Sequence, residues 1–294
     1  MSNCVGGIAR YEAKESLIVN IFLKFVNIIK NGAMKSILFY PLAFVFMVFS
    51  CSKTIKHKDE PLTIKPNSSD NPKKNTSDSD NLRLLFVGNS LTYTNDLPSL
   101  LKELGDQDSI KIVYKTFLLP NYALEDHLNG GKVQEEIDTG EYDFVIAQQG
   151  PSALPESQVL LLNGATLFAN ICKKHKRTKL ALYMVWPSRS RSFDLDNVIY
   201  SYTQAAEKTE SLLCPAGLAW KYAWQMDAEL PLYGFDNFHP SLTGSVLSAL
   251  TIYGALRDKK AFKFIQYNQF SWKSEIPEAK FEVLKQVALK ALNP

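Results

Sequence analysis

Three residues of the chain have the types that nucleophilic acyl transfer needs: a hydroxyl, an imidazole and a carboxylate. Ser90 stands in Gly88-Asn89-Ser90-Leu91-Thr92, directly after the apolar run Leu82-Arg83-Leu84-Leu85-Phe86-Val87. A serine hydroxyl is a weak nucleophile until a neighbouring base takes its proton. The base on offer lies far downstream, in Asp236-Asn237-Phe238-His239-Pro240-Ser241. His239 supplies the imidazole. Asp236, three residues earlier, can reach the other ring nitrogen, fix the tautomer and stabilise the imidazolium. Pro240 suits the first turn of a helix, which places His239 on the loop entering it. Taken singly, each feature has a plain reading. Ser and Asn are common turn and cap residues, and a lone His is an ordinary loop residue. It is the pair, in this order, that points to a Ser-His-Asp arrangement.

Such residues need a scaffold that brings them to one edge. Leu82–Gly88 is an apolar run ending in Gly, the pattern of a buried parallel strand. Further strands are expected at 110–118, 144–148, 180–186 and 212–214. Helical patterns separate them at 97–104, 159–174 and 198–211. Leu242, Val246, Ala249, Leu250, Tyr253 and Leu256 repeat at helical spacing, and a last amphipathic helix is expected over 277–292. Alternating strands and helices imply right-handed crossovers and a parallel sheet covered on both faces. Ligands of such sheets bind beyond the carboxyl ends of the strands. Ser90 follows the first strand at that edge. Arg189 and Arg191 follow the fourth, placed either to meet an anionic or sugar substrate or to form an exposed basic loop. Asp143 precedes the third strand and belongs to the opposite edge. Tyr93, near Ser90, either shapes the pocket or joins the core.

Three local sequences share one plan: LLFVGNSLT at 84–92, CPAGLAW at 214–220 and DNFHPSLTGSVLSAL at 236–250. A serine at the end of the first strand and Asp-x-x-His-Pro before the last long helix resemble the SGNH/GDSL hydrolases. The resemblance covers residues 82–256. It implies an α/β fold: a three-layer α/β/α sandwich around a mostly parallel five-stranded sheet, flavodoxin-like in order. The implied activity is a serine esterase acting on an ester, an acyl (acetyl) group on a carbohydrate or another small ester. It would work through a Ser90–His239–Asp236 triad and an acyl-enzyme, with no cofactor and no metal.

The resemblance also implies an oxyanion hole, and here the chain departs from the pattern. The Ser90 N–H is one donor. The family has a Gly after the second strand, where this chain reads Leu119-Pro120-Asn121-Tyr122. A main-chain N–H at Asn121 or Tyr122 can still donate, without the freedom of a residue lacking Cβ. After the third strand the family uses an Asn side chain, where this chain reads Ala147-Gln148-Gln149-Gly150. Gln148 or Gln149 can donate an amide from a longer arm. His127, in the segment bordering the implied site, either touches substrate or packs locally. Losing one oxyanion donor typically costs about 10²–10³ in rate. A second reading follows: a catalytically weak or inactive surface lipoprotein that binds glycan.

Composition excludes other classes. Net charge is +3, with Lys and Arg scattered among Asp and Glu, which argues against nucleic-acid binding. GNSLTYTN after the first strand matches neither phosphate-loop pattern. The chain's four His are dispersed, and its four Cys form no Cys-x-x-Cys pair or zinc-like cluster. Cys172 and Cys214 read as buried small residues.

The amino-terminal part reads as an address. Residues 34–51, MKSILFYPLAFVFMVFSC, have the three-part plan of an export signal. The apolar run is shorter than the roughly 20 residues that span a bilayer. The closing Val48-Phe49-Ser50-Cys51 resembles a bacterial lipobox. It implies that Cys51 is lipidated and anchors the protein to a cell-envelope membrane, periplasmic or surface-facing; the plain alternative is an ordinary signal with an incidental Cys. Residues 52–81 are polar and charged, unable to bury a core, and read as a tether. Residues 1–33 read as an over-extension upstream of a start at Met34, or else as a membrane-surface helix. The folded domain is expected over 82–294.

Overall fold

The structure is a computed structural model that describes residues 81–293. The expected export signal, the Cys51 lipidation site, residues 1–33 and all of the tether but Asn81 lie outside the described residues.

Strand β1, Asn81–Gly88, lies inside the sheet, one place in from an edge. Leu84, Leu85, Phe86 and Val87 are all fully buried, because helices cover both faces. It pairs in parallel with β2, Lys111–Leu118, on one side and with β3, Phe144–Ala147, on the other. Beyond β3 lie β4, Lys179–Tyr183, and β5, Leu212–Cys214, again parallel. The order among the described residues is β2-β1-β3-β4-β5. Edge strand β2 shows its position in its burial: Ile112 is buried while Val113 is 49 % exposed.

Helices α1, Ser90–Tyr93, and α2, Leu97–Gln107, connect β1 to β2. Helices α3, Leu124–Leu128, and α4, Lys132–Ile137, lead to β3. Then come α5, Pro155–Cys172, before β4, and α6, Leu195–Thr209, before β5. Three helices close the chain: α7, Ala216–Met226, α8, Leu242–Arg257, and α9, Glu278–Ala291. Helix α2 packs with α8, which meets α7 and α9, while α3, α5 and α6 pack in succession. These two groups are the outer layers of an α/β/α sandwich.

The expected strands and long helices are present. The short α3 and α4 and helix α7 have no expected counterpart. Their apolar positions are few or lie in an unbroken apolar stretch, so helical spacing does not stand out. Cys172 and Cys214 are free and buried.

The strand order reverses direction between β1 and β3: the chain leaves β1 for β2 on one side, then crosses to β3 on the other. That switch point leaves a crevice at the carboxyl edge, where open α/β sheets bind ligands. Ser90 follows β1 and Gln148-Gln149 follow β3, so both flank this crevice.

Candidate active site

The turn that carries Ser90 is fixed by two buried side chains, Asn89 and Gln148, that tie together the ends of three strands. Asn89 caps α1, its Oδ1 accepting from Leu91 N at 3.1 Å. The same Oδ1 accepts from Gln148 Nε2 at 3.0 Å, and Asn89 Nδ2 donates to the Tyr122 carbonyl at 3.1 Å. Gln148 Oε1 accepts from Asn89 N at 2.9 Å and from Thr92 Oγ1 at 2.8 Å. Its Nε2 also donates to the Gln149 carbonyl at 2.7 Å. Gln148 is 1 % exposed and both ends of its amide are engaged, as a buried polar group requires. It therefore braces the Ser90 turn from behind and does not line the crevice. Gly88 serves this brace: a Cβ there would lie 2.6 Å from Gln148 Oε1. Its φ is not positive, so close approach, and not a tight turn, is what demands Gly.

Gln149 is placed differently. Its side chain lines the crevice. Oε1 accepts from Leu124 N, at the start of α3, at 3.2 Å. Nε2 has only a long contact of 3.4 Å to Ser152 Oγ. The backbone beneath is held by buried Tyr202, whose hydroxyl donates to the Gln149 carbonyl at 2.6 Å and accepts from Gln149 N at 3.2 Å. Burial raises the Tyr202 pKa, so the phenol stays protonated and able to donate.

Asn121, where the family pattern has Gly, adopts φ +61° and lines the same crevice. The left-handed region favours Gly, and Asn is among the few other residues that enter it routinely. Among the described residues, neither Asn121 N–H nor Ser90 N–H has a hydrogen-bond acceptor.

His127 does not line the crevice. It is 5 % exposed, with Nε2 2.9 Å from the Gly88 carbonyl and its ring 5.0 Å from that of Tyr122. Since a carbonyl only accepts, Nε2 carries the proton. Burial lowers the His127 pKa and favours the neutral ring. Of its two expected placements, substrate contact or local packing, the structure has the second.

The base loop is built on backbone. Asp236 Oδ2 lies 2.5 Å from His239 Nδ1, and its Oδ1 accepts from Phe238 N and His239 N, both at 3.0 Å. The hydrogen bond from His239, aided by those two N–H groups, holds the Asp236 carboxyl below the usual carboxylate range. The Asp236 carboxylate thus leaves Nε2 as the imidazole's outward nitrogen. No described residue hydrogen-bonds Nε2, and none joins it to Ser90 Oγ. Under the loop, Trp186 stacks on Trp220 with centroids 3.4 Å apart, and Trp186 Nε1 donates to the Phe238 carbonyl at 3.1 Å.

A cleft of about 550 Å³ collects these parts. Ser90, Asn121 and Gln149 line it, and Phe238 brings in the residue beside His239. Tyr122 and Leu154 add apolar wall. The cation in this cleft is Arg191, not Arg189. Arg191 is braced by buried Asp194, Nε to Oδ2 at 2.7 Å. Arg189 is exposed beside Tyr233 and Asn237, in a separate groove. The intervening 3-10 turn, Arg189–Asp194, rotates the two side chains apart, which spacing alone does not reveal. Tyr93 is 42 % exposed and is neither core nor cleft wall. Asn89 and Tyr202 carry no sequence signal of their bracing roles, because their Gln148 and Gln149 partners are remote in the chain. Among the described residues, no group of three or more His, Cys, Asp or Glu comes together as a metal site.

No family model matches the sequence, and no curated protein matches it. Solved structures do. A candidate SGNH hydrolase from Slackia heliotrinireducens is 24% identical, with TM-score 0.51, over 60% of this chain and 98% of its own. A DUF4886 family protein from Bacteroides uniformis is 16% identical, with TM-score 0.61, over 72% of this chain and 95% of its own. The five-stranded parallel sheet flanked by helices matches the fold of the first of these proteins. The chain has the SGNH/GDSL-hydrolase fold.

Proposed function

We propose that the protein is an SGNH/GDSL-type serine esterase, and that Ser90, His239 and Asp236 are its catalytic residues. The observation that most supports this reading is that one cleft at the switch point is lined by Ser90, Asn121 and Gln149 and bordered by the His239 loop. In this reading His239 Nε2 takes the Ser90 proton as Oγ attacks the ester carbonyl. It returns the proton to the leaving alcohol, then activates water for deacylation. Asp236 stays ionised and holds Nδ1. Unliganded sites often have loose nucleophile–base contacts, so the approach of Ser90 to His239 belongs to the substrate-bound state. Ser90 N–H, Asn121 N–H and Gln149 Nε2 receive the oxyanion. The substrate is an acylated carbohydrate or other small ester, the acyl group an acetyl. Arg191 meets the alcohol portion, and Tyr122, Leu154 and Phe238 shield the acyl carbon from bulk water.

The test is labelling by a fluorophosphonate, together with acetate release from aryl acetates and acetylated xylan. Wild type should do both and Ser90→Ala neither. A wild type that takes no label and turns over no ester, yet binds glycan, would replace this reading with a binding lipoprotein.

We also propose that the protein is exported and lipid-anchored through Cys51, on the strength of the Val48–Cys51 sequence and the polar stretch after it. Wild type should partition into detergent, and Cys51→Ala should be released or left unprocessed. Aqueous wild type whose first residue lies elsewhere would overturn the anchor.

A further inference from the structure

We propose that Asn95 is a positioning residue that registers the His239 loop against the Ser90 turn. The kinetic part of this inference rests on the esterase reading above.

Four successive carbonyls of the loop each accept a hydrogen bond, and the donors come from different places. Asn237 O accepts from Arg189 N at 2.8 Å, and Phe238 O from Trp186 Nε1 at 3.1 Å. Both donors follow β4. His239 O accepts from Gly234 N at 2.8 Å, within the loop's own hairpin, which the Tyr233–Pro240 bridge closes. Pro240 O accepts from Asn95 Nδ2 at 3.0 Å. Asn95 alone among the four donors stands on the Ser90 side. Among the described residues this is the one hydrogen bond between segment 89–96 and loop 232–241.

The link is short and stiff at both ends. Thr94 N donates to Ser90 O, so α1 is closed just before Asn95. Pro240 is one peptide bond from His239. The second Asn95 amide bond goes to Ser245 Oγ at 2.9 Å, in α8, and Ser245 is 1 % exposed. Asn95 therefore holds both the loop and the helix that the loop enters. The residue type also suits the backbone. Asn95 has φ 56°, ψ 23°, the left-handed region that Asn tolerates, with its side chain turned toward both acceptors.

A positioning role makes a distinct demand. Displacing nucleophile and base by about 1 Å can cost about 10²-fold in rate without unfolding anything. Gly keeps the positive φ and deletes the amide; Asp keeps the shape and sets a carboxylate against the Pro240 carbonyl. In the full-length chain, Asn95→Gly and Asn95→Asp should each lower kcat on an aryl acetate by about 10–100-fold, with KM nearly unchanged. Each chain should still take one fluorophosphonate, only more slowly. Hydrogen exchange should accelerate in 234–241 and stay unchanged in 97–107. Ser245→Ala should do less, since the Pro240 bond remains. Wild-type kcat and unchanged exchange in Asn95→Gly would overturn the proposal. So would a reduced labelled fraction whose members react at the wild-type rate, the signature of a merely structural loss. If wild type turns over no ester, it is the esterase reading that falls. Exchange at 234–241 then decides alone, faster in Asn95→Gly supporting the link and unchanged refuting it.

Discussion

Around Ser90 the hydrogen bonds converge on two buried side chains, Asn89 and Gln148, which bond to each other and to main-chain groups just beyond the ends of β1, β2 and β3. Around His239 they run mostly to main-chain atoms, and the Asp236–His239 pair is about one-third exposed. The first arrangement is specified by particular side chains, so a single substitution strands several partners. The second is specified by chain path, so the loop's own side chains are freer to change than the groups that grip its carbonyls. A nucleophile needs fixed aim and fixed N–H groups beside it. A base that shuttles protons needs an oriented ring with one nitrogen open. In the proposed esterase reading, the two regions match those needs.

The comparison can be broken at its chemical centre. Ser90→Ala and His239→Ala should each remove nearly all ester turnover, a loss on the order of 10⁴-fold or more. The double variant should be little worse than either, because the two act as a unit. Initial rates on an aryl acetate check this; retained wild-type turnover in Ser90→Ala would sink the nucleophile assignment.

The two neighbouring glutamines sharpen it. Gln149→Ala should cost about 10²–10³ in kcat, since it removes a proposed oxyanion donor, and should lower Tm less than the Gln148 variant, since it strands one buried N–H, that of Leu124. Gln148→Leu should instead show in stability. It orphans Asn89 N–H and the Thr92 hydroxyl, each worth about 1–3 kcal/mol when buried without a partner. Thermal melts beside kinetics on correctly folded protein separate the two. Equal melting loss in both variants would mean that Gln149 is also a brace.

His127 gives the buried region a pH dependence of its own. The unfolded chain takes up the proton near pH 6.5, whereas burial lowers the folded value. The unfolded state then binds more protons between the two values. Stability is intact above about pH 6.5 and falls as pH drops toward the lowered folded value. His127→Gln should flatten the Tm–pH curve in that window. A curve parallel to wild type would show that His127 contributes nothing to it.

The smallest expected effect is at Asn121. Asn121→Gly should change stability by less than about 1 kcal/mol, because Gly enters the left-handed region freely. Asn121→Val should cost about 1–2 kcal/mol for forcing a branched residue there. Urea titrations measure both, and equal stability of the two variants would contradict the φ assigned to this position.

Much of this design was legible before any coordinates. Alternating strands and helices define a parallel sheet, and residues after each strand must lie at its carboxyl edge. That places Ser90 correctly, and the local Asp-x-x-His-Pro motif brings Asp236 onto His239 because they are three residues apart on one loop. The roles of Gln148 and Gln149 were not separable, since adjacent residues at a strand end point in opposite directions and only the neighbouring backbone tells which way is inward. Arg189 and Arg191 were not separable for a similar reason: a 3-10 turn, not spacing, aims them. The local sequence thus determined the strands, the helices and the short-range pair of base and carboxylate, because periodicity and proximity along the chain suffice for them. Tertiary structure alone decided the Asn89–Gln148 brace, the Tyr202 support under Gln149 and the Asn95–Pro240 link. Each joins groups dozens of residues apart, and which polar groups meet there depends on how the layers pack and not on any pattern a single segment carries.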